Sequence, residues 1–233
     1  MCGRYRLTAK ERYLRDHFGL DIDVAWSPRW NIAPTQMIPT VRQNATEPRR
    51  ILSLMRWGLI PRWTKEPSIG LRTINAMSET AAEKPAFRDA FRFRRCLVPA
   101  DGFYDWKKIA PKGKQPYSFG TLDGSVFAFA GLWDRWRSPD NAVIESCAIL
   151  TTPPNALVAE VHDRMPAILG IEDYDQWLDP GVTEPERVAD CLNPFNARLM
   201  KRYPVSSHVN RPENDDPVCA QEVLAENTSL SLF

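Results

Sequence analysis

Short apolar segments with the patterning of β-strands dominate this chain, and helical segments do not alternate with them. Seven such segments predict strands, at residues 37–41, 51–57, 96–100, 117–122, 126–133, 144–151 and 199–205. The lack of regular βαβ alternation argues against a doubly wound parallel sheet. We therefore expect an α+β fold with a mixed, mostly antiparallel, β-barrel-like core flanked by helices, in a single domain that covers residues 1–233.

The remaining patterned segments predict helices and loops. Thr8 and Glu11 form a capping-box pattern ahead of an amphipathic helix that ends at Gly19. Four further helices are predicted, at residues 78–91, 155–161, 172–178 and 184–192. Proline, aromatic or polar turn-forming residues predict irregular loops at 24–36 and 210–217.

Composition limits the classes of protein and partner. The net charge of +1 in 233 residues gives no global attraction to a polyanion, and 43% apolar with 25% charged residues is typical of globular proteins. The five cysteines are scattered and form no C-x-x-C pair, so neither a disulfide framework nor a zinc ribbon is predicted. The sequence shows no signal-peptide pattern and no apolar run of about 20 residues. We expect a cytoplasmic protein, nucleoid-associated in a bacterium, that uses no metal, cofactor or membrane.

Cys2 is the most informative single residue. If Met1 is removed, Cys2 carries an α-amine and a thiol on adjacent carbons, with ordinary pKa values of about 8 and about 8.5. An aldehyde can then form an imine with the amine, and the thiol can close it into a thiazolidine ring. With Met1 attached, the nitrogen is an amide and this chemistry is blocked. On position alone, an early cysteine is also explained as an accident of composition.

Three polar residues are candidates for assisting Cys2, and each has a structural alternative. The amide of Asn75 can donate to a substrate oxygen, or Asn75 can be a turn or helix-start residue. Asp105 lies among aromatic residues that can raise its pKa and suit it to proton transfer, or it is a strand-edge acid paired with Lys107 or Lys108. His162 can shuttle protons near neutral pH, or it fills a structural role.

A local basic strip is a candidate for nucleic-acid binding. Residues 88–95 contain four arginines and one aspartate, interleaved with two phenylalanines, and residues 56–63 combine arginines with tryptophans. Guanidinium groups hold phosphates, and aromatic rings stack on bases at about 1–3 kcal/mol each, which suits single-stranded nucleic acid. The alternative is a solvated helix face above core aromatics.

Taken together, the segments resemble the SOS response-associated peptidase (SRAP) family of abasic-site processing proteins. The resemblance runs in order along essentially the whole chain and rests on MCGR at residues 1–4, WNIAPT at 30–35, RWGLIP at 56–61, INA at 74–76, ET at 79–80, ADGFYDWK at 100–107, LT at 150–151, VHDRMP at 161–166, YPVS at 203–206 and NDD at 214–216. It implies the SRAP fold, a monomer, and single-stranded DNA with an abasic site as the partner.

The resemblance also implies the roles of the candidate residues. The α-amine and thiol of mature Cys2 would form a thiazolidine crosslink with the aldehyde of the abasic sugar. Asn75 would hold the cysteine and a sugar oxygen, Asp105 would relay protons and assist Met1 release, and His162 would assist ring opening and crosslink reversal. The residues expected to contact DNA are Arg4, Asn31, Pro34, Trp63, Met77, Arg92, Arg94, Trp106, Thr151 and Arg164.

Two residues depart from the family pattern. Asp105 stands where the family has glutamate, and the shorter side chain is expected to slow crosslinking or its reversal. Met77 stands where the family has arginine, which removes one phosphate contact that Arg92, Arg94 or Arg95 can replace. Two rival functions remain open: a thiol peptidase or N-terminal-nucleophile amidohydrolase that uses Cys2, and a nucleic-acid-binding module in which Cys2 has no role.

Overall fold

A computed structural model of the chain describes residues 2–20, 26–44, 47, 49–109 and 113–224. In this part of the chain the strands are β1 (Arg4–Leu7), β2 (Arg29–Ile32), β3 (Met37–Gln43), β4 (Arg50–Trp57), β5 (Asn75–Met77), β6 (Arg95–Ala100), β7 (Gly102–Lys108), β8 (Lys114–Thr121), β9 (Phe127–Arg137), β10 (Val143–Thr152), β11 (Met165–Pro166), β12 (Ile168–Leu169) and β13 (Met200–Pro204).

The helices of the described residues are few and short. The α-helices are α1 (Glu11–Phe18), α2 (Ser78–Ala81), α3 (Arg88–Phe93), α4 (Ala156–Ala159) and α5 (Tyr174–Leu178). Single turns of 3-10 helix lie at Pro67–Leu71, Ile171–Asp173, Pro185–Val188, Asp190–Leu192, Ala197–Leu199, Ser207–Asn210 and Pro217–Ala220. None of the described helices has the length and apolar character needed to span a membrane.

Five strands close into a barrel in the order β10-β4-β3-β6-β9, because β9 also pairs with β10. The β4–β10 pair is parallel, whereas the other four pairs are antiparallel. The expected α+β fold with a mixed, mostly antiparallel barrel core is therefore confirmed. Aromatic rings join the barrel to the second sheet: Tyr5 of β1 meets Trp57 and Phe129 edge-on, with ring centroids 5.5 and 5.8 Å apart.

The second sheet has five strands in the order β13-β8-β7-β1-β2 and carries Cys2 at one end. In the β1–β7 pair, Arg4 lies opposite Tyr104 and Arg6 lies opposite Gly102. A Cβ atom on Gly102 would lie only 2.2–2.4 Å from the Arg6 guanidinium, so a larger residue here would displace that buried side chain. The pairing brings the residue that precedes β1 close to the middle of β7.

The predicted strands are confirmed in position, but six strands in this part of the chain were not predicted. Each of the seven predicted segments overlaps an observed strand, whereas β1, β2, β5, β7, β11 and β12 are additional. The predicted loop at 24–36 is wrong at β2, although residues 24 and 25 lie outside the described part of the chain. The segment at 210–217 is confirmed as largely irregular, apart from the end of one 3-10 turn and the start of another.

Three predictions about the helices need correction. The capping box is wrong, because Lys10 is the N-cap of α1 and Thr8 instead donates to the Asp101 Oδ2 atom from its backbone N–H and its hydroxyl, at 2.5 and 2.8 Å. The single helix at 78–91 is wrong because it divides into α2 and α3 around Pro85, which lacks a backbone donor. The helix at 184–192 consists of two 3-10 turns.

Candidate functional site

Cys2 is fully buried immediately before β1 and is held by Asn75. The Asn75 Nδ2 atom donates a hydrogen bond to the Cys2 carbonyl oxygen at 2.8 Å. Asn75 begins β5, which pairs in parallel with β10 of the barrel, so the barrel fixes the position of the amide. Burial, followed by the charge of Asp105, raises the pKa of the Cys2 thiol to about 12. The thiol is therefore neutral at neutral pH.

Asp105 lies on β7 and is buried, with only 4% of its surface exposed. Its Oδ1 atom accepts from the Trp106 backbone N–H at 2.9 Å, and Oδ2 has no hydrogen-bond partner among the described residues. Burial raises the pKa of the carboxyl, and the Trp106 N–H and His162 oppose this shift. The sequence-based expectation of a raised pKa is confirmed. The alternative of a strand-edge pair with Lys107 or Lys108 is wrong, because both lysines are exposed whereas Asp105 is buried.

His162 completes the cluster from the turn that follows α4. Its Nδ1 atom accepts from the Arg164 backbone N–H at 3.1 Å and lies 2.9 Å from an Asp163 carboxylate oxygen. Electrostatic interactions link Cys2 with Asp105, and Asp105 with His162. The structure therefore brings together the four residues predicted to be catalytic.

Two buried acceptor atoms give this cluster its chemical character. Neither Asn75 Oδ1 nor Asp105 Oδ2 has a partner among the described residues, although buried polar atoms are almost always hydrogen-bonded. Both atoms can accept from donors such as an amine or a sugar hydroxyl. A carboxyl with a raised pKa can also transfer a proton near neutral pH.

Arg164 lies at one rim of the cluster, where its two terminal nitrogens are held by neighbours and its buried Nε atom has no partner among the described residues. Its Nη1 and Nη2 atoms donate to the two carboxylate oxygens of Glu79 at 2.5 and 2.8 Å, and Nη2 also donates to the Thr151 backbone oxygen at 2.6 Å. These hydrogen bonds lower the pKa of Glu79. Thr151 is fully buried, and its strand partner Met77 is 42% exposed. In the sequence, Glu79 stands out only as part of the ET motif at residues 79–80. Its spacing from Asn75 does not predict the ion pair with Arg164.

Arg4, Asn31 and Trp106 form the opposite rim and share one supporting segment. Arg4 donates to Asn31 Oδ1 at 3.0 Å and to the Val209 carbonyl at 2.8 Å, and the Trp106 indole donates to Asn210 Oδ1 at 2.7 Å. Asn31 is fully buried, and its Nδ2 atom donates to three backbone carbonyls of the segment at residues 209–214. This geometry indicates that Asn31 positions the Arg4 side chain. A contact between Asn31 and DNA stays a prediction.

The predicted basic strip is divided between the surface and the interior. Trp63 is 56% exposed, and its indole donates to the Pro85 carbonyl at 3.3 Å. Arg92 is exposed, whereas Arg94 lies 3.2 Å from the Asp134 carboxylate. Arg95 is buried and donates to five backbone carbonyls, so its suggested role as a substitute for a phosphate contact is wrong.

Pro34 lies in the turn between β2 and β3 and is half-buried. Its contact with DNA stays a prediction, as do those of Arg92 and Arg94. The segment that supports Arg4 and Asn31 was predicted only as a surface loop. Its Asn214-Asp215-Asp216 run is the signal for its supporting role, because Asp215 accepts from the Trp30 and Asn31 backbone N–H groups at 2.5 and 2.9 Å.

Comparison with known proteins identifies the family of this chain. The model of the family "SOS response associated peptidase (SRAP)" matches residues 1–212, and the chain belongs to this family. The abasic site processing protein YoqW of Bacillus subtilis is 41% identical over 220 residues, which cover 93% of this chain and 97% of that protein. The abasic site processing protein HMCES of Xenopus tropicalis is 30% identical over 228 residues, which cover 85% of this chain and 67% of that protein.

Solved structures show the same fold. The crystal structure of a protein from Bacteroides thetaiotaomicron matches with a TM-score of 0.86 at 28% identity and covers 96% of this chain and 100% of its own. A protein from Bordetella bronchiseptica matches with a TM-score of 0.76 at 28% identity, over 88% of this chain and 100% of its own. The resemblance found in the sequence motifs is thereby confirmed.

Proposed function

We propose that this chain processes abasic sites in single-stranded DNA by forming a covalent thiazolidine crosslink through Cys2, once Met1 has been removed. The observation that carries the proposal is the Asn75 hydrogen bond to Cys2 beside the buried carboxyl of Asp105. The names of the relatives from Bacillus subtilis and Xenopus tropicalis support abasic sites as the lesion.

The proposed reaction has two bond-forming steps. The α-amine of Cys2 adds to the aldehyde of the ring-opened sugar, and the resulting carbinolamine loses water to give an imine. The thiol then adds across the C=N bond, so that sulfur bonds to carbon and the thiol proton ends on nitrogen. The atoms balance with loss of one water, and no oxidant or reductant is needed.

The electrostatics of the cluster suit these steps. Asp105 in its protonated form can give its proton to the departing water, and its raised pKa keeps that form accessible closer to neutral pH. The thiol of Cys2 remains neutral until it adds to the imine. Asn75 Oδ1, which has no hydrogen-bond partner among the described residues, can accept from the new nitrogen or a sugar hydroxyl. His162, which interacts electrostatically with Asp105, is proposed to assist ring opening and reversal.

The two rims are proposed to hold the DNA on either side of the lesion. Arg4 and Arg164 supply positive charge, and Trp63 and Trp106 supply rings on which bases can stack. The Arg164 guanidinium is bound by Glu79, so a phosphate must compete with that carboxylate. At Met77 the rim offers an apolar thioether where the family has arginine, which leaves one phosphate contact fewer.

A crosslinking assay tests the proposal. Protein with a free Cys2 amine is incubated with a single-stranded oligonucleotide that contains one abasic site, and a heat-stable species of the summed mass is sought by denaturing electrophoresis and mass spectrometry. We expect a 1:1 adduct with loss of one water that Cys2→Ala abolishes. Cys2→Ser keeps the amine, so it should form an imine that only borohydride traps. An N-terminal extension that blocks the amine should prevent both.

The rival functions give different results in the same assay. Cleavage of an unrelated peptide, without any adduct, would support an amidohydrolase and contradict the proposal. Reversible binding that is unchanged in Cys2→Ala and produces no adduct would support a simple nucleic-acid-binding module. An oligonucleotide with an intact base at the same position is the matched control for the aldehyde.

A further inference from the structure

Two 3-10 turns near the end of the described chain bring three metal-binding side chains together. His208 lies in the turn Ser207–Asn210, Asp216 caps the turn Pro217–Ala220, and Cys219 lies within that second turn. The ligand atoms of the three residues all lie within 4.8 Å of one another. The His208 Nε2 atom is already 2.9 Å from Asp216 Oδ2.

The donor set and its spacing fit zinc. Zinc binds imidazole nitrogen, thiolate sulfur and carboxylate oxygen, and its bond lengths place neighbouring ligand atoms of a tetrahedral site about 3.3–3.6 Å apart. His208 Nε2 and Asp216 Oδ2, now 2.9 Å apart, would separate by about 0.4 Å, and the Cys219 sulfur, within 4.8 Å of both, would move in by at most about 1.2 Å. The sequence expectation of no metal rested on the absence of paired cysteines and histidines, and it did not consider a mixed set separated by seven and two residues.

The three residues form a site that is buried and apolar on one side and open to solvent on the other. Cys219 is fully buried and packs with Tyr104, Val205 and Val209. The side chains of His208 and Asp216 are 33% and 45% exposed, so an ion can enter from solvent. We propose that His208, Asp216 and Cys219 bind one Zn²⁺ ion, with the fourth coordination position open to water.

The charges around the cluster support a cation. Asp215 and Asp216 both act electrostatically on Cys219, and their negative charges favour a divalent ion. Arg4 is the positive group that interacts with Cys219, and it opposes the ion while stabilising the thiolate. Asp215 is ion-paired with Arg29, which offsets its charge. The site therefore has two formal negative charges from its ligands, Asp216 and the Cys219 thiolate, and one positive charge from Arg4.

Zinc binding requires a defined movement of protons. The Cys219 thiol, which now donates to the Asn214 carbonyl at 3.1 Å, loses its proton to solvent. The Asn214 Nδ2 atom lies 3.2 Å from His208 Nδ1, so in the present arrangement the imidazole proton is on Nε2. For Nε2 to bind zinc, the imidazole proton must move to Nδ1. The Asn214 amide must then turn so that its oxygen accepts this proton in a hydrogen bond. One proton is released to solvent per ion bound.

The ion would brace one rim of the cluster around Cys2. The Val209 carbonyl accepts from Arg4, and the Asn210 side chain accepts from Trp106, and both residues belong to the first of the two turns. Joining that turn to the second through a metal would hold this rim against the sheet. The site itself does not depend on the proposed reaction with DNA.

Cobalt spectroscopy on the full chain tests the site. Metal-free, reduced protein is titrated with Co²⁺, and we expect one equivalent to produce the visible ligand-field bands of four-coordinate cobalt and a thiolate-to-cobalt charge-transfer band. Zn²⁺ should displace the cobalt, raise the melting temperature and release one proton in a weakly buffered titration. Cys219→Ser should remove the charge-transfer band. Asp216→Asn, which can still cap the second turn, should weaken binding by at least about tenfold.

Two controls separate this site from other thiols and from misfolding. Cys2→Ser and Cys191→Ser should leave the spectrum unchanged, and circular dichroism melts show whether each variant is folded. The proposal is overturned by a six-coordinate spectrum without a charge-transfer band, or by a band that survives Cys219→Ser. If Cys219→Ser does not fold, undiminished cobalt affinity in both Asp216→Asn and His208→Gln overturns it.

Discussion

Two buried aspartates at opposite ends of one stretch of chain have opposite environments. Asp101 precedes β7 and is 8% exposed, and Asp105 lies within β7 and is 4% exposed. Asp101 Oδ2 accepts three hydrogen bonds, from Thr8 N, Thr8 Oγ1 and Ala9 N, while its Oδ1 lies 3.3 Å from Arg6 Nε. Asp105 accepts one, from its neighbour Trp106, and its Oδ2 has no partner among the described residues.

The difference separates a structural carboxylate from a reactive one. At Asp101 the donors compensate for the loss of water, so the group fixes the start of α1 to the sheet. At Asp105 the loss of water is barely compensated, and the pKa rises. Asp101 Oδ1 also lacks a hydrogen bond to a described residue, but it is ion-paired with the Arg6 guanidinium. Burial alone therefore does not mark a functional carboxyl, whereas burial with few donors and no ion pair among the described residues does. The four predictions below test this contrast, from the largest expected effect to the smallest.

Asp105→Asn is expected to have the largest effect, which is on the rate of crosslink formation. Asparagine keeps the shape of the side chain but cannot transfer a proton, and loss of a general acid–base group costs about 10²–10⁴ in rate. We therefore expect crosslink formation to slow by at least about 100-fold, with the variant folded. The rate is measured by quenched time courses with the abasic oligonucleotide at saturating protein, so that binding does not limit it.

The matched comparison for this rate is Asp101→Asn, measured at a temperature where both variants are folded. We expect Asp101→Asn to react at nearly the rate of the unmodified protein. Equal slowing of both variants would break the contrast between the two carboxyls, because it would assign the effect to disturbance of β7.

The sequence predicted the barrel strands well because each presents an apolar run to the core. It missed β1, β2 and β7 because their residues mix arginine, proline neighbours and aromatics, and their strand character comes from pairing with each other. It also missed β5, β11 and β12, which have only two or three residues each and are too short to show a pattern. Likewise, Cys2, Asn75, Asp105 and His162 were all predicted, since each has a reactive or hydrogen-bonding group in a distinctive motif.

The supports of the site could not be predicted from local sequence. Arg4 is held by Val209, which lies 205 residues away in the chain, and Asn31 by carbonyls of the same late segment. Arg95 shows the converse error, because a basic run predicted surface charge and the fold buried this member among carbonyls. Such contacts depend on tertiary packing, which local patterns do not encode.

Asp101→Asn is expected to have the second-largest effect, which is on the free energy of unfolding. The substitution removes the carboxylate charge beside the buried Arg6 guanidinium, and breaking a buried pair by changing one partner costs about 3 kcal/mol or more. We expect the free energy of unfolding in urea to fall by about that amount. A loss below about 1 kcal/mol, within the range of surface ion pairs, would show that Asp101 is no more tightly held than a surface group.

The pH dependence of stability gives a third and smaller effect. The pKa of Asp105 is raised above its ordinary value of 3.8. The protonated carboxyl therefore contributes to the stability of the folded protein at low pH, and this contribution is lost as the pH rises through the raised pKa. Asp105→Asn mimics the protonated form. Its stability advantage over the unmodified protein should therefore be near zero around pH 4 and grow toward neutral pH, by about 1.4 kcal/mol per unit of pKa shift. Urea unfolding of both proteins across this range measures it, and an advantage that falls as pH rises contradicts the raised pKa.

Asp105→Glu tests the fit of the reactive carboxyl and has the smallest expected effect. Glutamate adds one methylene, about 1.5 Å, and proton transfer needs heavy atoms within about 2.6–3.2 Å of each other. The longer side chain should bring its carboxyl nearer the reacting nitrogen, and the partnerless Oδ2 shows that no hydrogen bond to a described residue is lost there. We expect crosslink formation or reversal to accelerate by up to about tenfold, equivalent to about 1.4 kcal/mol. Identical rates for both steps in the two proteins would mean that β7 already places the shorter Asp105 at the proper distance.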